Sequence, residues 1–215
     1  VIEDAAQAHG ALERGPSRAV AYSFYPTKNL GGIGDGGAIV TSDPETARKV
    51  RALRQYGWAD ERRISAEAGY NSRLDEIQAG VLNVLLPHLD RENADRREIA
   101  ARYREGFAAL EAENSVNLAS ESTGCVNHQF AIEVDHRAGV QQWLRSRRRV
   151  LTAVHYAVPA HRQPAFEDGC RTPLPVTDRL AERFLSLPIQ SEAVAGREHE
   201  VIEGVIEAVR SCARS

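Results

Sequence analysis

Three short apolar runs lie within the first 41 residues: Val1-Ile2, Val20-Ala21-Tyr22-Ser23-Phe24 and Gly37-Ala38-Ile39-Val40-Thr41, separated by loops of small residues. Runs of this length are too short for helices, and apolar side chains on successive positions read as strands covered on both faces. They predict a mixed, buried sheet. Asp43-Pro44-Glu45 then supplies an N-cap, a proline at the first helical position and an acid in the first turn, ahead of apolar Ala47, Val50 and Leu53. This predicts a helix ending near Gly57. Strands followed by a helix place the chain in the α/β class.

Residues 57–70 are charged and aperiodic, a loop long enough to be functional or partner-facing. Ser72-Arg73-Leu74-Asp75-Glu76 opens a helix carrying Leu74, Ile77, Val81, Leu82 and Leu85. Pro87 interrupts it, and Leu89 to Leu110 continues as a long Arg/Glu-rich amphipathic helix. A domain boundary is expected there, giving domains 1–86 and 87–215. After a polar linker from Glu111 to Gly124, the pattern predicts strands at His128–Val134 and Val150–Tyr156 with a helix at Val140–Arg149 between them. Helices at Thr177–Leu187 and Arg197–Arg210 complete a small α+β lobe.

The formal charge of −3 offers no electrostatic attraction to nucleic acid or anionic membrane, and no apolar run nears the roughly 18 residues needed to span a bilayer. Cys125, Cys170 and Cys212 are odd in number and widely spaced, which fits neither a disulfide framework nor a zinc site. They read as small packed hydrophobes in a reducing, cytoplasmic setting, with no leader visible. The chain contains no methionine and opens on strand-like Val1-Ile2-Glu3-Asp4, so it is expected to begin inside a longer protein. Among 27 basic residues only Lys28 and Lys49 are lysines, so either stands out as chosen for an amine that can lose its proton.

Asp4 ends the first strand, and Gln7 and His9 follow it. Strand ends are where α/β proteins place ligands, although Asp4 could equally cap the following turn. Ser23-Phe24-Tyr25-Pro26-Thr27-Lys28-Asn29-Leu30-Gly31-Gly32 puts Lys28 on a loop after a strand, five residues beyond a hydroxyl suited to phosphate; its plain alternative is a solvated surface charge. Gly32-Ile33-Gly34-Asp35-Gly36-Gly37 matches the dinucleotide fingerprint in letters only, because a strand rather than a helix comes next. These glycines read as a tight loop that lets backbone approach a ligand or the lysine.

Val1-Ile2-Glu3-Asp4-Ala5-Ala6-Gln7-Ala8-His9-Gly10, Ser23-Phe24-Tyr25-Pro26-Thr27-Lys28-Asn29-Leu30-Gly31, Gly34-Asp35-Gly36-Gly37, Gly69-Tyr70-Asn71-Ser72-Arg73-Leu74-Asp75 and His155-Tyr156-Ala157-Val158-Pro159-Ala160-His161-Arg162-Gln163-Pro164 together closely resemble the DegT/DnrJ/StrS family of pyridoxal-phosphate-dependent sugar aminotransferases. The resemblance implies the fold-type-I architecture. Residues 1–86 would be the C-terminal part of a large, mostly parallel-sheet domain that binds pyridoxal 5'-phosphate, and 87–215 a linking helix and small C-terminal domain. It implies that Lys28 forms the Schiff base with the cofactor aldehyde and moves protons as acid and base. Asp4 would pair with the pyridine nitrogen, Gln7 would lie beside the ring, Ser23 would contact the phosphate, and Asn71 would reach the neighbouring subunit's cofactor phosphate. Arg73, His155, Tyr156 and His161 lie where such proteins approach the sugar nucleotide; for Arg73 and Asp75 pairing or capping is the alternative, and for the others simple packing.

The implied reaction moves an amino group from an amino acid such as glutamate to a nucleotide-linked keto sugar, in a homodimer with shared sites and without a metal. The family's N-terminal portion, with a further phosphate loop and a ring-stacking aromatic, does not match anything here, and Ala11 to Arg18 is short for the segment between the two motifs. Sheet edges and one core face are therefore expected to be uncovered. Two alternatives stand beside this reading: a dehydratase branch, which replaces the lysine with histidine, and an inactive relic or partner subunit that binds a sugar nucleotide or another chain.

Overall fold

The computed structural model describes residues 1–11, 19–60, 62–166, 172–194 and 196–213. Most of the Ala11–Arg18 segment and Cys170 lie outside them. Contacts divide the chain into two units, Val1–Ala94 with Ser122–His128, and Asp95–Glu121 with Gln129–Ser215.

In the first unit β1 (Ile2–Asp4) runs parallel to β2 (Ala19–Ser23), and β2 pairs antiparallel with β3 (Gly37–Val40). The mixed sheet matches the expectation, but its burial does not. Only Ala19 and Val20 on its strands are buried, while Ile2 and Ile39 are exposed. Helix α1 (Pro44–Leu53) begins as its sequence dictates: the Asp43 carboxylate accepts from the Glu45 N–H at 3.2 Å and from the Thr46 hydroxyl at 2.6 Å. None of its side chains is fully buried. Helix α2 (Glu76–Leu85) starts four residues later than expected, because Asp75 is still extended and Asn71 bridges to Gln55. A 3₁₀ turn at Leu86–His88, set by Pro87, leads into α3 (Leu89–Ala112).

The second unit is an antiparallel sheet in the order β4 (Val116–Leu118), β5 (Phe130–Val134), β6 (Phe184–Leu187), packed by helices. Its core gathers Tyr103, Phe107 and Leu110 of α3 with Ile132, Val134, Leu185 and Leu187 of the sheet. It also takes Val140 of α4 (Arg137–Trp143) and Val201, Val205 and Val209 of α7 (Glu198–Cys212).

Three expectations fail in this unit. The linker hides β4, whose Val116 is fully buried. Residues 150–156 form no strand, only one bridge between Ala153 and Ser186. The helix expected over Thr177–Leu187 stops at α5 (Pro175–Arg183), where Phe184–Leu187 turns extended so that Leu185 and Leu187 reach the core. Tertiary burial overrides helix propensity there. After α6 (Ser191–Val194), α7 completes the unit. No helix among the described residues is long and apolar enough to cross a membrane.

Candidate active site

The parallel register pairs Asp4 with Ala21, so Asp4 and Ser23 project from the same face at the carboxyl ends of adjacent strands. The Asp4 Oδ1 accepts the Ala6 N–H at 3.0 Å, the turn-capping role its position allowed, and one oxygen remains for a ligand. The Ser23 Oγ accepts the Tyr25 N–H at 3.3 Å, which leaves the hydroxyl proton to donate. Gln7 is exposed on the turn after Asp4.

Lys28 follows on a loop closed at both ends: its own N–H reaches the Tyr25 carbonyl at 2.8 Å, and the Gly32 N–H reaches Phe24 at 2.8 Å. The next residues anchor it through Leu30, which is buried. The two lysines now separate. Lys49 sits 3.8 Å from Glu67, whereas the half-buried Lys28 has no ion-pair partner among the described residues. Its charge is felt by His9, a buried imidazole beside the Tyr22 and Phe24 rings. Burial first, and the nearby Lys28 ammonium second, push the His9 pKa below its ordinary value.

The glycine loop is approached by protein. The Ile33 N–H donates to Gln78 Oε1 at 2.9 Å, and a Cβ on Gly32 or Gly34 would lie 2.6 Å from the Gln78 amide. Helix α2 thus fills the space a nucleotide phosphate would need, and β3 follows the loop as expected. Asn71 is exposed on the extended segment beside Gln55. Asp75 is the N-cap residue of α2 but makes no side-chain cap bond, and the Arg73 guanidinium lies 5.9 Å from the Tyr56 ring centroid. Two open grooves of about 670 and 480 Å³ run between the sheet and α1, and none of these chemical residues lines them.

In the second unit His155 is exposed with its Nδ1 2.9 Å from the Ser186 Oγ, and its ring meets exposed Tyr156 edge-on. The His161 Nε2 lies 3.0 Å from Asp178 Oδ1, a carboxylate also gripped by Arg162 at 2.7 Å. That Arg162 bond holds the Asp178 pKa below the usual carboxylate range. His161 is therefore tied to a local ion pair, while Tyr156 stays open.

Sequence reasoning passed over Asn29 and Asn93 and left His128 ambiguous. Asn29 Nδ2 lies 2.8 Å from Asn93 Oδ1 and 3.0 Å from the Val126 carbonyl, and His128 Nδ1 lies 2.8 Å from Asn29 Oδ1. Asn93 in turn donates to the His9 carbonyl at 2.8 Å. The available signal was the helical spacing of Asn93, Arg96, Ala100, Tyr103 and Phe107, which puts a polar residue on the buried stripe of α3.

The donor set of the first unit fits pyridoxal phosphate: an unpaired amine for the aldehyde, a carboxylate for the ring nitrogen, and a hydroxyl for the phosphate. No cluster of metal-ligating side chains occurs among the described residues.

Comparison with known proteins agrees with this donor chemistry. The model of the DegT/DnrJ/EryC1/StrS aminotransferase family matches residues 1–210. The dTDP-3-amino-3,4,6-trideoxy-alpha-D-glucose transaminase of Streptomyces venezuelae is 42% identical over 215 residues, covering 96% of this chain and 56% of that protein. The crystal structure of S. venezuelae DesV in complex with a ketimine intermediate superposes with a TM-score of 0.89 at 39% identity, over 97% of this chain and 57% of that one. That of NtdA from Bacillus subtilis with bound cofactor PMP gives 0.90 at 28% identity, over 97% and 50%. The chain spans little more than half the length of the relatives it matches.

Proposed function

The chain belongs to the DegT/DnrJ/EryC1/StrS aminotransferase family, and on that premise we propose that the protein carrying it transfers an amino group from an amino acid to a nucleotide-linked keto sugar. Residues 1–86 would complete the large cofactor-binding domain, and 87–215 would be the linking helix and small domain. The observation that carries the reading is Lys28: a half-buried amine without a charged partner among the described residues, on a loop joined to the strand beside Asp4.

Lys28 would hold the cofactor aldehyde covalently in the resting enzyme. Released by the incoming amine, its amino group would carry the proton between the reacting carbon of the substrate and the cofactor carbon that bears the nitrogen. Bound there, pyridoxal phosphate supplies the electron sink for the carbanion those transfers require. The Asp4 carboxylate would keep the pyridine nitrogen protonated, Gln7 would lie beside the ring, and the Ser23 hydroxyl would donate to the phosphate. Asn71, on an exposed segment, would serve a second copy of the chain in a homodimer. Exposed Tyr156 and Arg73 are the groups we assign to the sugar nucleotide, together with His155 and His161. The dTDP-sugar named for the Streptomyces relative supports a nucleotide-linked substrate, and the PMP of NtdA supports the cofactor.

Borohydride reduction after incubation with pyridoxal phosphate, followed by peptide mass mapping, tests the reading. Labelling confined to Lys28 is expected. Labelling shared equally with Lys49, or absent, would overturn it.

A further inference from the structure

The hydrogen bonds around Asn29 have only one consistent direction. The carbonyls of Val126 and His9 can only accept. Facing them, Asn29 and Asn93 must each present an NH₂, which assigns both amides. Asn93 Oδ1 then accepts from Asn29, and Asn29 Oδ1, its donors already spent, must accept from His128. His128 therefore carries its proton on Nδ1. The resulting chain runs from His128 through Asn29 and Asn93 to the backbone of His9, and Asn93 is almost wholly buried.

From this we infer that Asn29, gripped by Asn93 and His128, is a positioning residue that fixes the Lys28 amine relative to Asp4, an inference that rests on the cofactor reading above. The chain spans the two segments that must be in register. Asn29 is the residue after Lys28, and His9 follows directly on the turn after Asp4, which the Ala8 N–H closes on the Ala5 carbonyl. Gly10 shows how little slack the joint has: its φ is +82°, and a Cβ there would lie 2.6 Å from Asn93 Nδ2. The strands carrying Asp4 and Ser23 have few buried side chains to hold the lysine loop in place, so directional bonds take over that task.

Asn29→Asp tests this in the full-length protein, because it keeps the shape and turns both donors into an acceptor facing Asn93 Oδ1 and the Val126 carbonyl. Three readouts separate positioning from folding: the rate of borohydride-trappable labelling at Lys28, the affinity for pyridoxal phosphate measured by fluorescence, and the melting temperature. Labelling at Lys28 is expected to slow by about tenfold to a hundredfold, the scale of one lost buried hydrogen bond, with cofactor affinity changed far less and the melting temperature lowered only by the several degrees that such a lost bond costs. His128→Gln, which keeps a donor for Asn29, should label at nearly the wild-type rate, while His128→Leu should slow like Asn29→Asp. If Asn29→Asp does not fold, Asn93→Ala gives the same reading by cutting both its bonds without adding charge. Wild-type labelling rates in the variants, or a fall in rate matched by an equal fold loss of cofactor affinity, would overturn the inference. A wild-type protein that is not labelled at Lys28 would instead overturn the cofactor reading beneath it.

Discussion

In the second unit Tyr103, Phe107, Ile132, Leu144 and Leu185 are sealed from water, whereas in the first Ile2, Ile39, Ile77 and Val84 stand half or more exposed. The residues we propose for the chemistry, Lys28, Asp4 and Ser23, all belong to the loosely packed unit. The densely packed one carries groups already tied down, such as His161 on Asp178, beside the open Tyr156. Where side chains interlock, position is fixed by packing; around Lys28 it is fixed by backbone bonds closing a loop and by a polar chain through Asn29 and Asn93. Stability and chemistry therefore answer to different mutations in this molecule.

The sharpest form of that contrast is functional. Lys28→Ala should abolish amino transfer and Lys28 labelling while the melting temperature stays within a few degrees of wild type, since a half-buried amine with no ion-pair partner among the described residues contributes little to stability. A variant retaining turnover would break the contrast at once. Next in size, Phe107→Ala should cost about 3–5 kcal/mol by leaving a cavity in the second core, measured by urea unfolding. The comparison mutation Ile39→Ala should cost less than about 0.5 kcal/mol in this 215-residue chain, because the side chain is already half in water. Comparable losses in the two variants would mean that the first unit has a core as demanding as the second. The molecule supplies its own reporters, Trp58 in the first unit and Trp143 in the second. With Trp58→Phe and Trp143→Phe backgrounds, the Phe107→Ala loss should be read mainly by Trp143.

The same division explains what could be read from the letters. Elements whose signals are local came through: the Asp43-Pro44 helix start, the Pro87 interruption, and the strand after the glycine loop. Phe184–Leu187 did not, because its residues suit a helix, and only the pairing with β5 and the burial of Leu185 and Leu187 make it a strand. Val116–Leu118 was lost in polar surroundings for the same reason. In the candidate site, Asp4 and Ser23 at strand ends and Lys28 on the loop beyond were singled out by residue type and position, and the roles proposed for them came from the family resemblance. Asn93 was not, since its partner Asn29 lies 64 positions away and no spacing rule links them.

The smallest expected effect concerns His9. Its pKa is lower in the folded chain than in the unfolded one, where it takes the ordinary value near 6.5, so the unfolded state binds the proton first as the pH falls. The stability that neutral His9 lends is fully present above about pH 6.5 and drains away as the pH drops below it toward the folded-state value. Both causes lie in the first unit: the ring is buried against Tyr22 and Phe24, and the Lys28 ammonium opposes a second positive charge nearby. His9→Phe keeps a ring of similar size and removes the titration, so the fall in urea midpoint between pH 7.5 and pH 5.5 should be shallower in the variant than in wild type. Read through Trp58, the difference should be visible; read through Trp143 it should be smaller, because the groups that shift His9 belong to the unit that carries Trp58. Parallel pH slopes for variant and wild type would show that the imidazole charges as readily in the folded protein as outside it, and that the loosely packed unit is wetter around Lys28 than its buried histidine implies.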